Sequence, residues 1–569
     1  MSSTHLSIAI TGAGGAGVIS CGELLLQAWA RLGGRGLLRK AYGPQIRGGE
    51  SAALLKLTED ERYTAADHYH LLVALDWDNF SRFEDEIQLG PDTWVLCETG
   101  AEIPAAVLAL QPHVLEVPMA ELAKSAHPDG RVNMLALGLL GGLLGLPVDS
   151  LCQLAQQKLA RKAEAYQDAA VASIRSGCAQ SLDCELHPPA LGDTGTWYLS
   201  GNQAAGLGAL EAGIRFVAAY PITPASDVLE WMAGGLEQVA GQLVQAEDEL
   251  AAINMTIGAA FGGVPAFTAT SGPGLALMSE SIGLAVASET PLTVFNVMRG
   301  GPSTGIPTKS EQSDLNIALH GLHGDAPHLV LAPLDIADCV FTTGWAVQLA
   351  QQLQTAAIVL SDQFIGQSTA VVSEPRRCAA IASAPAEPSA GGDYLRYKLT
   401  DSGISTVASP GDVDQRFTAD GLEHNEKGTP SAKHSDHQQQ LQKRQDKLEQ
   451  FDYGEQWAAL SGSGPVAIVS FGSSSAAAAE AAVQLSASGT PARTIALRLL
   501  APLQTDALAQ ALAECERVVV VEQNHGAQLY RYLRGQMDFQ QPLHSYAMAG
   551  PVPLNAKHIA QFVAEVSAV

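Results

Sequence analysis

The chain has 569 residues, 33 of them Lys or Arg and 59 Asp or Glu, for a formal net charge of −26. At roughly 150 residues per domain that length predicts three or four domains, and an apolar content of 47% against 16% charged residues rules out a disordered chain. So acidic a balance argues against nucleic acid or an anionic membrane as a partner, and eight cysteines without a C-x-x-C argue against a disulfide framework or an iron–sulfur cluster held by this chain alone.

The first block opens with an apolar strand over 6–11, a glycine turn and a helical pattern over 18–32. Strands are expected at 51–57, 70–75 and 93–97, then a helical stretch over 151–174. The alternation predicts a parallel α/β sheet. The longest apolar run, 134–146, is shorter than the ~20 residues of a membrane helix and reads as a core helix packed through its glycines. The first basic residue is Arg31, so a charged signal-peptide start is missing and a cytoplasmic location is expected.

A Pro- and Gly-containing linker over 178–196 leads to a second alternating block. It has a helix at 202–212 and strands at 215–219, 265–269, 292–297, 328–331 and 356–360. Past 379 the composition loosens, and a polar helix is expected over 438–451, with Lys443, Arg444, Asp446, Lys447 and Glu449 on a solvated face. A third α/β unit follows, with strands at 465–470, 492–498 and 517–522 and helices at 474–487 and 505–513. The expected division is 1–185, 198–378, an extended linker over 379–460, and 461–569: an α/β fold class with three α/β domains.

Three motifs carry possible chemistry. Gly12-Ala-Gly14-Gly15-Ala-Gly17 follows a strand and precedes a helix, the context of a phosphate-binding turn. A dinucleotide site would want an acid about 20 residues on, but Leu37-Leu38-Arg39-Lys40 is basic. This disfavours a nicotinamide dehydrogenase and leaves a phosphorylated ligand or a purely structural turn. Tyr42-Gly-Pro-Gln-Ile-Arg47-Gly-Gly reads the same two ways. Second, the prolines of Tyr220-Pro221-Ile222-Thr223-Pro224 stiffen a strand-to-helix turn and fix Thr223 where open sheets bind ligands, unless Thr223 or Ser226 caps the next helix. Third, Glu247-Asp248-Glu249 opens a nearly uncharged helix, followed by a strand and Thr270-Ser271-Gly272-Pro273-Gly274. These acids complement a helix dipole, and Glu249, at the edge of the apolar run, is also placed for proton transfer.

The third motif resembles the pyrimidine-binding domain of thiamine-diphosphate enzymes. The whole series resembles the 2-oxoacid:ferredoxin oxidoreductases, specifically an alpha subunit with a fused N-terminal gamma domain. The residues that carry the likeness are the Tyr220–Pro224 turn, Glu249 with Ser271-Gly-Pro-Gly, Arg299-Gly-Gly-Pro-Ser-Thr-Gly305, Asp420-Gly-Leu-Glu-His424 and Gln523-Asn-His-Gly526. The resemblance implies a gamma domain, a pyrimidine-binding-type domain and a transketolase C-terminal-like domain. It implies that Glu249 activates the cofactor, with Pro221, Thr223 and Ser271 around it. Thr223 and Arg299 would hold the 2-oxoacid carboxylate, which an arginine fork matches.

Thr308 and Lys309 are expected to reach the distal carboxylate of 2-oxoglutarate. Gly14, Gly15, Tyr42 and Arg47 are expected to contact coenzyme A, with Arg39 and Lys40 near its phosphates. No metal site is expected on this chain. The family's Gly-Asp-Gly…Asn diphosphate motif is missing, with no asparagine between Asn316 and Asn425. A beta subunit is therefore expected to bring Mg2+, the diphosphate site and an iron–sulfur cluster, in an (αβ)2 assembly that serves ferredoxin. The implied activity is reversible oxidative decarboxylation of 2-oxoglutarate to succinyl-CoA. The alternatives are pyruvate, branched-chain or broad 2-oxoacid use, or a non-catalytic scaffold.

Overall fold

The computed structural model describes residues 5–43, 49–61, 63–78, 80–306, 309–378, 394–413 and 415–567. An eight-stranded sheet runs in the order His113–Val117, Trp94–Glu98, Leu71–Ala74, His5–Gly12, Ser51–Thr58, Arg35–Tyr42, Thr369–Val372 and Trp197–Ser200. The first four strands are parallel. Ser51–Thr58 is antiparallel to both of its neighbours, so the sheet is mixed and not the parallel one expected. The reason is the connection: only residues 43–50 separate Arg35–Tyr42 from Ser51–Thr58, too few for the crossover that a parallel pair needs.

Two strands from the second block, Trp197–Ser200 and Thr369–Val372, extend this first sheet. The second sheet has seven strands in the order Leu499–Ala501, Leu329–Leu331, Ala356–Asp362, Leu292–Met298, Ala266–Thr270, Phe216–Ala219 and Gln242–Gln245. They are parallel except for Leu499–Ala501, which the third block contributes antiparallel at the edge. The central strands are buried on both faces and read as continuous apolar runs for that reason. The third sheet has five strands centred on Val466–Phe471 and Arg517–Glu522. One hydrophobic core joins the second and third units, while the first has its own.

The expected polar helix is present as His434–Glu449, but its charge run is not a solvated face. Lys443, Arg444 and Lys447 are buried. Lys443 Nζ lies 2.5 Å and Lys447 Nζ 3.1 Å from the two carboxylate oxygens of Glu289, itself fully buried. Arg444 Nη2 donates to both oxygens of Glu423 at 2.8 and 2.7 Å. Arg396 donates to the main-chain oxygen of Glu289 at 2.7 Å. Burial would raise the Glu289 pKa, but Lys447, Lys443 and Arg396 hold it down at about 2. Burial lowers the Lys447 pKa to about 8 in spite of Glu289. Hydropathy gives a paired cation and a hydrated one the same score, so the sequence pattern hid a docked face. Among the described residues, no helix is long and apolar enough to cross a membrane.

Candidate active site

The carboxyl ends of the parallel strands in the second sheet converge on one site, the place where open α/β sheets bind ligands. Phe216–Ala219 runs into the Tyr220–Pro224 turn, where Pro221 is exposed, Thr223 half-buried and the Thr223–Pro224 peptide cis. Asn202 Nδ2 pins the turn by donating to Pro224 O at 2.9 Å. The next helix, Ser226–Gln238, has no side-chain cap, so neither Thr223 nor Ser226 plays that part. Arg299, one residue past Leu292–Met298, donates from Nη1 to the Thr223 carbonyl at 2.7 Å. Its Nε is buried with no hydrogen-bond partner. Burial pulls the Arg299 pKa down and Asp314 pulls it back up.

Glu249 is the first residue of helix Glu249–Phe261, and Asp248 is its N-cap, accepting from Ala251 N at 2.7 Å. The capping task thus falls to Asp248, and Glu249 turns inward and is buried. Its side chain lies against Gly274. A Cβ on Gly274 would stand 2.1 Å from Thr270 Oγ1 and 2.9 Å from Glu249 Cγ, so only glycine fits there. Ser271, the N-cap residue of helix Gly272–Ala287, has a buried hydroxyl with no partner.

Two residues that the sequence reading missed complete this wall. Asn296 is fully buried within Leu292–Met298, and its Nδ2 donates to Asp314 Oδ2 at 2.9 Å while its Oδ1 has no partner. The Asp314 carboxylate covers Gly272, 2.5 Å from where a Cβ would stand, and burial raises its pKa to about 6. A lone amide inside an apolar strand was the available signal for Asn296. Asp314 had none, because its partners are distant in sequence.

The wall suits the aminopyrimidine end of thiamine diphosphate. A buried carboxylate packs against Gly274 and Thr270, and Ser271, Asn296 and Arg299 each carry a buried polar atom that has no hydrogen-bond partner within the chain.

Other expected contacts fall elsewhere. Lys309 meets Glu86 of the first block, which also binds Arg39 at 2.5 Å, so its ammonium is engaged by that block. Arg39 and Lys40 are not grouped around one phosphate. Successive strand residues face opposite ways, and Lys40 pairs with Glu23 at 2.7 Å. Gly14 and Gly15 lie on an exposed turn whose Ala13 amide already donates to Asp76 Oδ2 at 2.8 Å. Tyr42 ends its strand half-buried, and burial pushes its hydroxyl pKa up. Arg47 and Thr308 lie outside the described residues.

Comparison with known proteins gives a consistent set. Residues 207–443 match the family described as pyruvate flavodoxin/ferredoxin oxidoreductase, thiamine diphosphate-binding, residues 7–180 match pyruvate ferredoxin/flavodoxin oxidoreductase, and residues 456–537 match the transketolase C-terminal domain. The chain is 34% identical over 349 residues to 2-oxoglutarate synthase subunit KorA of Methanothermobacter marburgensis, covering 60% of this chain and 91% of that one. It is 29% identical to the alpha subunit of 2-oxoacid:ferredoxin oxidoreductase 2 of Aeropyrum pernix, across 96% of this chain and 97% of that one. Among solved structures it resembles 2-oxoglutarate:ferredoxin oxidoreductase from Magnetococcus marinus, determined with 2-oxoglutarate, coenzyme A and succinyl-CoA bound. That match has 32% identity, a TM-score of 0.90 and 99% coverage of both chains.

Proposed function

The chain belongs to the 2-oxoacid:ferredoxin oxidoreductase alpha-subunit family, and from that premise we propose that it forms the pyrimidine-side half of an active site oxidising 2-oxoglutarate to succinyl-CoA and CO2, with electrons passing to ferredoxin. The observation that carries this reading is the buried Glu249 against Gly274, on a chain of thiamine-enzyme architecture. The 2-oxoglutarate synthase relatives and the Magnetococcus marinus structure support the choice of substrate.

When bound, thiamine diphosphate supplies the carbanion equivalent that adds to the 2-oxoacid carbonyl. The chain's own residues act around it. Glu249 holds a proton at the pyrimidine ring nitrogen. Thr223 and Arg299 orient the substrate carboxylate, with Arg299 Nη1 bound to Thr223 O and its buried Nε without a partner. Pro221 walls the turn, and Ser271 offers its hydroxyl toward the cofactor.

The other half-site comes from a beta subunit that brings Mg2+, the diphosphate grip and an iron–sulfur cluster in an (αβ)2 complex. The helix led by Glu249 presents Leu250, Met255 and Phe261 to the exterior, next to Leu277 of the following helix. A Cβ at Gly258, on the same helix, would meet nothing within 4 Å. An apolar face of this kind beside a half-built site is what a partner covers. Ferredoxin docks on the beta subunit, because this chain is itself acidic. Coenzyme A is the acyl acceptor, with the first block as the region that receives it, and the complex resides in the cytoplasm. The working division of the chain is 1–185, 198–378, 379–460 and 461–569.

The test is anaerobic reduction of a viologen dye by the chain co-purified with its cluster-bearing partner, driven by 2-oxoglutarate and coenzyme A. Glu249→Gln should assemble normally and lose about 10²–10⁴-fold in rate. A scaffold role requires the variant to be as active as wild type, and that result would overturn the reading.

A further inference from the structure

The run Gln523-Asn-His-Gly-Ala-Gln528 joins strand Arg517–Glu522 to helix Gln528–Gln536 in the third block, and no step of the reaction proposed above uses it. Its polar groups turn to the segment that follows Arg299. Gln312 in that segment is fully buried, and the third block engages all four of its polar groups. Its amide donates to Gln523 O at 2.7 Å, and its Oε1 accepts from Gln523 N at 2.9 Å. Its Nε2 donates to Phe471 O at 2.7 Å, and its carbonyl accepts from Asn524 Nδ2 at 3.2 Å. Gln312 and Gln523 thus exchange a reciprocal pair of bonds, the pattern of antiparallel strands with one carbonyl replaced by a side-chain amide.

Gln528 extends the grip along the same segment. Its Nε2 donates to Ser313 O at 2.9 Å, and its Oε1 accepts from Asn316 N at 2.8 Å. Behind these contacts lies the buried carboxylate of Glu522. It accepts from Asn524 Nδ2 at 2.6 Å and from the amides of Leu529 and Tyr530 at 2.7 and 3.0 Å. One acid therefore fixes both Asn524 and the helix start that carries Gln528.

The gripped segment leads back to the candidate site at both ends. Asp314, between Ser313 and Asn316, covers Gly272 and takes the Asn296 bond. At the other end, Gly300 N donates to Lys309 O at 3.0 Å, and Gly300 O accepts from Ile306 N at 2.9 Å. Arg299 is thus one peptide away from a bond made to the gripped segment. Buried amides and carbonyls tolerate a single register, because a slip of one residue would leave the Gln312 groups unpaired in the interior.

We propose that Gln312, Asn524 and Gln528 form a positioning clamp, by which the third block sets the register of residues 309–316 and so places Arg299 for the 2-oxoacid carboxylate. The clamp rests on the assignment of Arg299 to that carboxylate. Its three residues act through Arg299 and are positioning residues, not catalytic ones. A carboxylate grip that is the same in the bound substrate and in the transition state contributes to KM and not to kcat. Loosening the clamp therefore has a kinetic signature. General loosening of the fold has another, because it lowers the active fraction, and with it kcat, while the surviving molecules keep their KM.

Gln528→Ala is the variant to test, because Gln528 is half-buried and its helix keeps the Glu522 bonds. In the complex with the cluster-bearing partner, it should raise KM for 2-oxoglutarate about tenfold or more, with kcat within about twofold of wild type. KM for coenzyme A should stay unchanged. Gln312→Glu keeps the acceptor for Gln523 N and sets a carboxylate oxygen against Phe471 O, so it should shift KM in the same direction. Hydrogen exchange on the full chain supplies a readout without turnover. Amides over 300–306 and 309–316 should lose about tenfold or more of their protection in Gln528→Ala, while those of Glu249–Phe261 keep theirs. A wild-type complex that reduces no dye with 2-oxoglutarate would overturn the assigned reaction, and the exchange result would still decide whether the clamp exists. Unchanged protection over 300–316, or a loss in kcat with KM unchanged, overturns the proposal.

Discussion

Asp314 shows what the site asks of single residues. Its carboxyl is buried over Gly272, with one hydrogen bond from Asn296 and the Arg299 charge nearby. Burial raises its pKa from 3.8 to about 6, so the folded chain holds this proton more tightly than the unfolded one. The sign follows by linkage. The folded state gains at low pH and loses that gain as pH rises from about 4 to about 6, a difference on the order of 3 kcal/mol. Asp314→Asn removes the titration. Its unfolding midpoint relative to wild type should climb across that interval and level off above it, and a flat difference would show that the carboxyl is solvated. At this scale the sequence was partly legible. Glu249 stood out because an acid at the head of an uncharged helix is conspicuous, and Arg299 only through the resemblance carried by Arg299-Gly-Gly-Pro-Ser-Thr-Gly305. Asn296 and Asp314 are 18 residues apart with no motif between them. Only folding makes them neighbours.

Among elements, the helix His434–Glu449 is the instructive one. Its existence was readable from a run of good helix formers, with the start placed four residues late. Its orientation was not readable, because charged residues lie on every face and the docked side is defined by Glu289 and Glu423, far away in sequence. Glu289 is the keystone, since its carboxylate accepts from Lys443 and Lys447 and its main-chain oxygen accepts from Arg396. Removing one member of a buried ion cluster leaves the others uncompensated, at a cost of about 3–5 kcal/mol. Glu289→Gln should therefore loosen the helix from the second unit. Trypsin reads this directly, because Lys443, Arg444 and Lys447 are buried in the docked helix. Cleavage at those positions in the variant and resistance in wild type is the expected pattern, whereas equal resistance would mean that the bond from Lys447 Nζ to Gln354 O at 2.9 Å and the surrounding packing suffice.

Across the whole molecule, the three blocks are less separate than their order along the chain implies. The alternation of strands and helices made each block visible, but strand partners chosen over hundreds of residues carry no local signature. Hence Trp197–Ser200, Thr369–Val372 and Leu499–Ala501 joined sheets outside their own blocks. The segment after Arg299 depends on this interlocking. Lys309 is held by Glu86 of the first block, Glu311 accepts from Gly550 N at 3.0 Å, and Gln312 N donates to Gln523 O at 2.7 Å in the third. Burial would raise the Glu86 pKa, and Arg39 and Lys309 hold it below the ordinary carboxylate range, so this is a charged contact bridging two blocks. If it positions the loop beside Arg299, Glu86→Gln and Lys309→Met should each lower kcat/KM for 2-oxoglutarate, chiefly through KM. Both remove the same contact, so the double variant should fall short of the sum by roughly 0.5–3 kcal/mol in a double-mutant cycle. Strictly additive losses would mean that the loop takes its shape from the third block alone and that the first block does not act on the substrate site through Glu86.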